Sequence, residues 1–495
     1  MSINRHFPVL IVVAPLLASY LAPMLWRWQR RLVKPIVLSA AALSFSMSLS
    51  TALQVLRSGP VSYHVGSWEP PWGIELYVDY LSAYMAVVVT AVGLLILIYA
   101  TEYAEKLVDE KNRGLFFTLA LLLIAGLTGM VVTGDVFNLF VFLEIASLAS
   151  YALVPIAGKK GSKGRFEASF RYLYMGAIAS TFILIGIGLA YMATGTLNMA
   201  DMARLLPEAR QEYPRLIVAS LGFFIVGFSI KCALFPLHLW LPDAYAHAPM
   251  PVNALSSGLT IKVMAYAMIR LFYSVFGIGF VSGTGLLSAL QVIAGTAIIV
   301  GSLLAITQND VIRILAYSSV SQIGYIILGA TLVTKDGLAG SLLHILHHSV
   351  MKGAMLLAVG AVIYKTGKRD IRDYRGLGKR MPYTMGAFSI AALSMVGIPP
   401  LTGFVSKWIL LLGTVEAKSY AFTFVILASS LLNAVYYFRL INYIHFKGET
   451  AGEVDEAPPA MLIPIIILGL GAIFLGVLAG LPLTIIWKAV ASAGL

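Results

Sequence analysis

Ionised side chains are scarce in this sequence: Asp, Glu, Lys and Arg make up 12% of its 495 residues, hydrophobic residues make up 59%, and the mean hydropathy is +0.86. Soluble domains draw about a quarter of their residues from the charged four, so a soluble globular enzyme is excluded and a polytopic membrane protein is indicated. Cysteine is almost absent. Cys232 stands alone, which rules out a disulfide framework and a cysteine-ligated cluster, and any redox chemistry would have to sit elsewhere. Long polar stretches are missing too. The longest connections, residues 58–77, 195–215, 366–382 and 447–459, are each too short for a separate domain. The first apolar run, residues 9–26, has no small-residue cleavage site and is followed at once by basic residues and more apolar runs, so it reads as a retained helix. Function must come from a helical bundle and its partners.

Apolar runs of spanning length fall near residues 7–25, 36–56, 78–100, 114–133, 136–156, 172–194, 216–241, 250–276, 284–306, 312–333, 338–364, 383–413, 419–445 and 461–487. An all-α membrane protein of about 14 transmembrane helices is predicted. Short cytoplasmic loops are enriched in Lys and Arg. With the N-terminus placed outside, the inward loops hold 20 basic residues and the outward segments 8, so both termini are expected outside. The net charge of +12 is then mostly a topology signal and needs no nucleic acid to explain it. Seven of the inward basic residues lie between Lys365 and Arg380, a cluster that suits topology fixing or docking to a peripheral partner.

The chain is organised around Phe228 to Lys262, FSIKCALFPLHLWLPDAYAHAPMPVNALSSGLTIK. Lys231 sits in an apolar run that Pro236 must break, since proline lacks an amide proton and clashes with the carbonyl four residues back. In lipid such a break is tolerated only where the freed backbone faces protein or a water-filled cavity. Lys262 lies in the next run, beyond Pro249 and Pro251. One ammonium in a hydrocarbon slab costs about 2.5–3.5 kcal/mol even on insertion scales, so two beside a broken helix read as an ion pathway.

Glu144, in VFNLFVFLEIASLASYALV, lies well inside the fifth run. It is either a structural partner of a nearby cation or part of a proton path, and Lys231 is its candidate partner. Burial disfavours ionised groups while an opposite charge favours them, so a pair of this kind switches with small changes in separation. In SLLHILHHSVMKGAM, His344, His348 and Lys352 recur at i, i+4 and i+8, one helix face. Such a stripe suits proton relay, with hydrogen-bonded packing as its alternative and zinc binding disfavoured for want of a second ligand cluster. His347 points off the stripe. His238 and His247, near the break, read as structural. GIPPLTGFVSKW, from Gly397 to Trp408, repeats the theme with Pro399 and Pro400 interrupting a span and Lys407 following. Broken spans in both halves point to inverted repeats around a midplane site, although residue order differs between the two. Ser318, Ser319, Ser321 and Gln322 either bridge the lysines through water or glue helices together.

The break with its two lysines, the stretch LAYSSVSQIGYIILG from Leu315, the histidine stripe and GIPPLTGFVSKW together resemble the antiporter-like subunits of respiratory complex I, Mrp-type Na+/H+ antiporters and membrane-bound hydrogenases. The resemblance covers essentially the whole chain, and length and Lys407 are most similar to the D-type subunit of the Mrp antiporters and its hydrogenase homologue. It implies two inverted five-helix repeats with helices 7 and 12 broken. Residues 1–113 would hold helices 1–3, 114–279 the first repeat, 280–446 the second, and 447–495 helix 14. It implies a proton path through Glu144, Lys231, Lys262, His344, His348 and Lys407, with His347, Lys352, Ser318, Gln322 and His238 as secondary candidates. No catalytic residue, metal or cofactor is implied. The implied partners are other membrane subunits, the lipid bilayer, protons and, as an alternative ion, Na+. The implied location is a prokaryotic cell membrane. Lys407 argues against the complex I subunit that carries Glu there. A complex I-like proton pump, a quinone-binding enzyme subunit and a non-transporting scaffold are the competing classes. Nothing in the sequence marks a quinone pocket.

Overall fold

A computed structural model describes residues 6–157, 163–448 and 454–495. Arg5, Lys159 and Lys160, three of the basic residues used to orient the chain, lie outside the described residues. Among the described residues thirteen helices are long and apolar enough to cross a membrane. The remaining expected span, the twelfth, residues 383–413, is two short helices, Pro382–Val396 and Thr402–Glu416, with the prolines between them. The first half-helix ends at Gly397, whose φ of 100° lies in the left-handed region that glycine adopts without steric cost. The seventh span is broken as well. Pro214–Lys231 stops before Pro236 and the chain resumes as Trp240–His247.

Carboxylates and hydroxyls start several spans. Asp79 accepts from the Ser82 amide at 2.8 Å, Asp135 from Asn138 at 2.7 Å, Asp310 from Ile312 at 2.8 Å and Thr334 from Gly337 at 3.1 Å. Each satisfies an amide that the first helical turn leaves free. Two connections hold structure that periodicity did not signal. Residues 58–77 contain most of a two-stranded antiparallel hairpin, Val61–His64 against Glu75–Val78. Residues 195–215 contain the helix Met199–Glu212, capped by Asn198, which buries Met199, Met202, Leu206 and Ala209 along one stripe.

Burial sorts the spans into layers. Met250–Val275 is wholly buried, and Lys335–Thr366 and Val311–Thr331 are nearly so, whereas Tyr420–His445 is mostly on the periphery. The innermost three helices carry buried polar residues, among them Lys262, Ser319, Gln322, His344, His348 and Lys352. Small residues let them approach their neighbours: a Cβ on Gly324 would stand 2.7 Å from the Ala294 carbonyl, and one on Gly340 would stand 2.8 Å from the Leu410 amide. Without a hydrophobic drive between helices in lipid, such close backbone contact supplies association.

Candidate functional site

Glu144 and Lys231 meet between the fifth and seventh spans. The Lys231 ammonium lies 3.6 Å from Glu144 Oε1, with side chains 4% and 30% exposed. That gap is an ion pair and not a hydrogen bond. Lys231 spends its donors instead on Ser147 Oγ at 2.8 Å and Tyr151 Oη at 3.1 Å, while Ser180 Oγ donates to Glu144. Glu144, Ser147 and Tyr151 recur at i, i+3 and i+7 on the helix Val136–Leu153, one face. Lys231 is the last residue of its helix, where unpaired carbonyls give the negative end of the dipole and favour a cation. Trp240 fixes the break by donating to the Ile230 carbonyl at 3.0 Å and stacking flat on Tyr172, ring centres 4.1 Å apart.

Lys262 is buried at the centre and donates to the Ser257 carbonyl. The acceptor lies in a π-helical turn, Ser256–Thr260, inserted between Met250–Leu255 and Ile261–Arg270. Wide turns of this kind disturb the ordinary i→i−4 ladder and recur at functional sites. Across the gap Ser257 Oγ meets Ser319 Oγ at 2.8 Å.

The helix Lys335–Thr366 carries the predicted stripe, entirely buried. His344 is bonded on both ring nitrogens, Nδ1 to Ser406 Oγ at 2.9 Å and Nε2 to Gln322 Oε1 at 2.8 Å. Its ring stacks on His348 at 5.9 Å between centres. Neither nitrogen of His348 or His347 has a hydrogen-bond partner among the described residues. His348 lies within electrostatic reach of Lys262, Lys352, His344 and Lys407 alike. Lys352 is anchored by the Leu315 carbonyl at 2.9 Å and Ser318 Oγ at 2.5 Å. Lys407 donates to the carbonyls of Met395 at 2.8 Å and Val396 at 3.1 Å, which end the first half-helix of the twelfth span. The Tyr325 ring faces the Lys407 ammonium at 5.3 Å.

These residues form two groups. Glu144 and Lys231 make one, and Lys262, His344, His348, Lys352 and Lys407 make the other, with Ser318 and Gln322 holding members of the second in place. His238 stands apart, buried between Phe235 and Tyr317 with its Nδ1 unpartnered among the described residues. Ser321 takes the packing role: it donates to the Ile298 carbonyl at 2.9 Å and meets Ser302 Oγ at 3.0 Å. The hydroxyls of Ser147, Tyr151, Ser180 and Ser406 were not anticipated, though the first two were readable from their spacing to Glu144.

A family described as NADH:quinone oxidoreductase/Mrp antiporter, TM, matches residues 133–433, and one described as NADH-Ubiquinone oxidoreductase (complex I), chain 5 N-terminus, matches residues 64–117. The chain belongs to the NADH:quinone oxidoreductase/Mrp antiporter family. It is similar to the NADH-quinone oxidoreductase N subunit of Desulforudis audaxviator, 43% identical over 96% of both chains. It is similar to the Na(+)/H(+) antiporter D subunit of Alkalihalophilus pseudofirmus, 34% identical over 87% of this chain and 85% of that one. Among solved structures it resembles a chain of the archaeal membrane-bound sulfane sulfur reductase, 33% identical, TM-score 0.90, covering 98% of this chain and 97% of that chain.

In this member of the NADH:quinone oxidoreductase/Mrp antiporter family, packing at the second break leaves no room for a side chain. The amide of Gly403, in the first turn of the helix Thr402–Glu416, donates to Ser394 Oγ at 2.9 Å, and a Cβ there would stand 1.8 Å from the Ser394 carbonyl oxygen. That atom is backbone and cannot swing away. Gly403→Ala is therefore expected to lower stability by about 1–3 kcal/mol, read as a lower melting temperature of the purified assembly. An unchanged melting temperature would mean the break has slack that the packing does not show.

Proposed function

We propose that this chain is the proton-translocating, antiporter-like membrane subunit of a multisubunit complex, of the Mrp-type Na+/H+ antiporter or membrane-bound hydrogenase type. One observation carries the reading: ionisable residues from the seventh, eighth, eleventh and twelfth spans are buried, with Lys231, Lys262 and Lys407 beside a break or a widened turn, and Lys231 pairs with the half-buried Glu144 of the fifth. Each unneutralised cation in a membrane interior costs about 2.5–3.5 kcal/mol or more. A scaffold that merely sealed its neighbours would gain nothing from Lys262, Lys352 and Lys407 together. The relative named as an NADH-quinone oxidoreductase subunit favours a second reading, a proton-pumping subunit of a complex I-like oxidoreductase. Identifying the subunits that co-purify decides between them. The breaks in the seventh and twelfth spans support two repeats over residues 114–279 and 280–446. The excess of basic residues on one set of loops supports both termini outside, and the bacterial relatives support a prokaryotic cell membrane.

In this reading Glu144 and Lys231 set the charge at one end, and Lys262, His348, His344 and Lys407 hand protons along the middle. The unpartnered nitrogens of His348 are free to accept or release a proton, and His344 connects that ring to Gln322 and Ser406. Replacing both His344 and His348 by apolar residues is expected to lower proton flux about tenfold or more, and to change its pH profile because titrating groups have been removed. Flux is measured on the assembled complex in vesicles from pH 5 to 9. Unchanged flux across that range sinks the relay role.

A further inference from the structure

The helix Ile261–Arg270 carries Lys262, Tyr266 and Arg270 at i, i+4 and i+8, so all three lie on one face. All are buried. The Tyr266 hydroxyl donates to the Val131 carbonyl at 2.8 Å and meets Ser82 Oγ at 3.1 Å. The amide of Ser82 in turn donates to Asp79 at 2.8 Å, and Asp79 receives Arg270 Nη1 at 2.6 Å. The ion pair is itself largely buried, its side chains 4% and 16% exposed. Beyond it opens a cavity of about 380 Å³ on the face that carries the hairpin, lined in part by Glu75, Tyr77, Asp79, Arg270 and Ser274. Of these, Ser274 is exposed. Burial, and after it the Asp79 carboxylate, raises the Tyr77 hydroxyl above the usual phenol range, so it stands there as a neutral donor. Among the described residues, the partners of Tyr266 come from the third and fourth spans.

We propose that Tyr266, Ser82 and the Asp79–Arg270 pair form the proton route between Lys262 and the hairpin-side cavity, with the ion pair as the barrier at its mouth. This rests on the transport reading above. The step is a hop. An ammonium proton of Lys262, swung from the Ser257 carbonyl, passes to the Tyr266 oxygen as the phenolic proton leaves it for Ser82 Oγ. The hydroxyl proton of Ser82, turned from the Tyr77 carbonyl at 3.4 Å, passes on to the Asp79 carboxylate and from there to cavity water. Tyr266 and Ser82 end with the protons they began with, and the amine and the last acceptor carry the difference. Arginine stays protonated throughout. Arg270 is therefore a positioning charge: it orients the Asp79 carboxylate, and repels cations from the mouth until the pair parts and Asp79 accepts.

The test uses the assembled complex in vesicles. Tyr266→Phe keeps the ring and its packing, and is expected to lower proton flux about tenfold or more, with only the small fall in melting temperature that loss of the bond to the Val131 carbonyl brings. A second variant, Ser274→Cys, places a thiol in the cavity outside the relay. Cys232 is wholly buried, so the unsubstituted complex serves as the labelling control. A membrane-impermeant cationic thiol reagent is expected to modify Ser274→Cys from the hairpin face and to lower its flux several-fold, leaving the control unchanged. Parental flux in Tyr266→Phe, or complete labelling without loss of flux, overturns the route. A thiol that never reacts shows the cavity closed to that face and overturns it too. A control complex that moves no protons before labelling defeats the transport reading itself, and the route with it.

Discussion

Lys262→Arg and Lys407→Arg are each expected to stop proton transport, lowering flux about a hundredfold, in complexes that still assemble. Both variants keep the positive charge. What they remove is the ability to let a proton go, because a guanidinium does not deprotonate in a protein. Each lysine is held by backbone carbonyls that a helix interruption leaves available, Ser257 in the π-turn for Lys262 and Met395 and Val396 at the half-helix end for Lys407. Carbonyls accept hydrogen bonds from an ammonium and from a neutral amine alike, so these anchors tolerate both protonation states. A carboxylate partner in the same place would favour only the charged one. In the proposed path a proton on one lysine is expected to discourage a proton on the other, since like charges in one polar corridor disfavour joint protonation. The melting temperature of each variant separates lost release from lost packing. If both arginine variants conduct at the parental rate, the lysines are fixed charges, and the path runs through the histidines and water.

Glu144→Ala and Lys231→Ala are the second pair of large effects. Each is expected to abolish ion transport and leave assembly intact, because each removes one member of an ion pair whose partner keeps other hydrogen bonds. Lys231 retains Ser147 and Tyr151 after loss of Glu144, and Glu144 retains Ser180 after loss of Lys231. Breaking a fully buried pair costs about 3–5 kcal/mol. Here the carboxylate is 30% exposed, so the stability cost is expected to be much smaller than that. The proposed switch rests on the 3.6 Å gap, short enough to close to a direct contact or open without moving either helix far. Proton flux and subunit stoichiometry of the purified variants are the measurements. Near-parental flux in both variants reduces the pair to a structural bridge.

Much of this was legible in the sequence, and the reasons are physical. The spans follow from hydropathy, and the breaks follow from Pro236, Pro399 and Pro400, since a proline cannot continue a helical ladder. The Glu144–Lys231 pair and the His344–His348 stripe were readable because a charge or imidazole within an apolar run has few places to go. The π-turn at Ser256–Thr260 was not readable: it depends on how a wholly buried helix packs, and Ser-Ser-Gly carries no pattern for it. Asp79–Arg270 escaped for another reason. Asp79 reads as a helix cap, which it also is, and Arg270 reads as a basic residue at a span end. Only the fold brings a residue of the third span to one of the eighth. Ser321 shows the converse, a polar residue of the tenth span that packs helices where a water bridge had been an equal expectation.

The most direct test of one continuous proton line is a mutant cycle on flux. Lys262→Ala, Lys407→Ala and the double variant are compared with the parent in the assembled complex, reconstituted in vesicles with a pH-sensitive dye. Residues that act as a unit in one path are strongly non-additive, each single loss costing about as much as the joint loss. Either single variant is expected to fall to the level of the double. Two partial losses that multiply in the double variant would contradict it, and would mean that the two lysines serve separate routes.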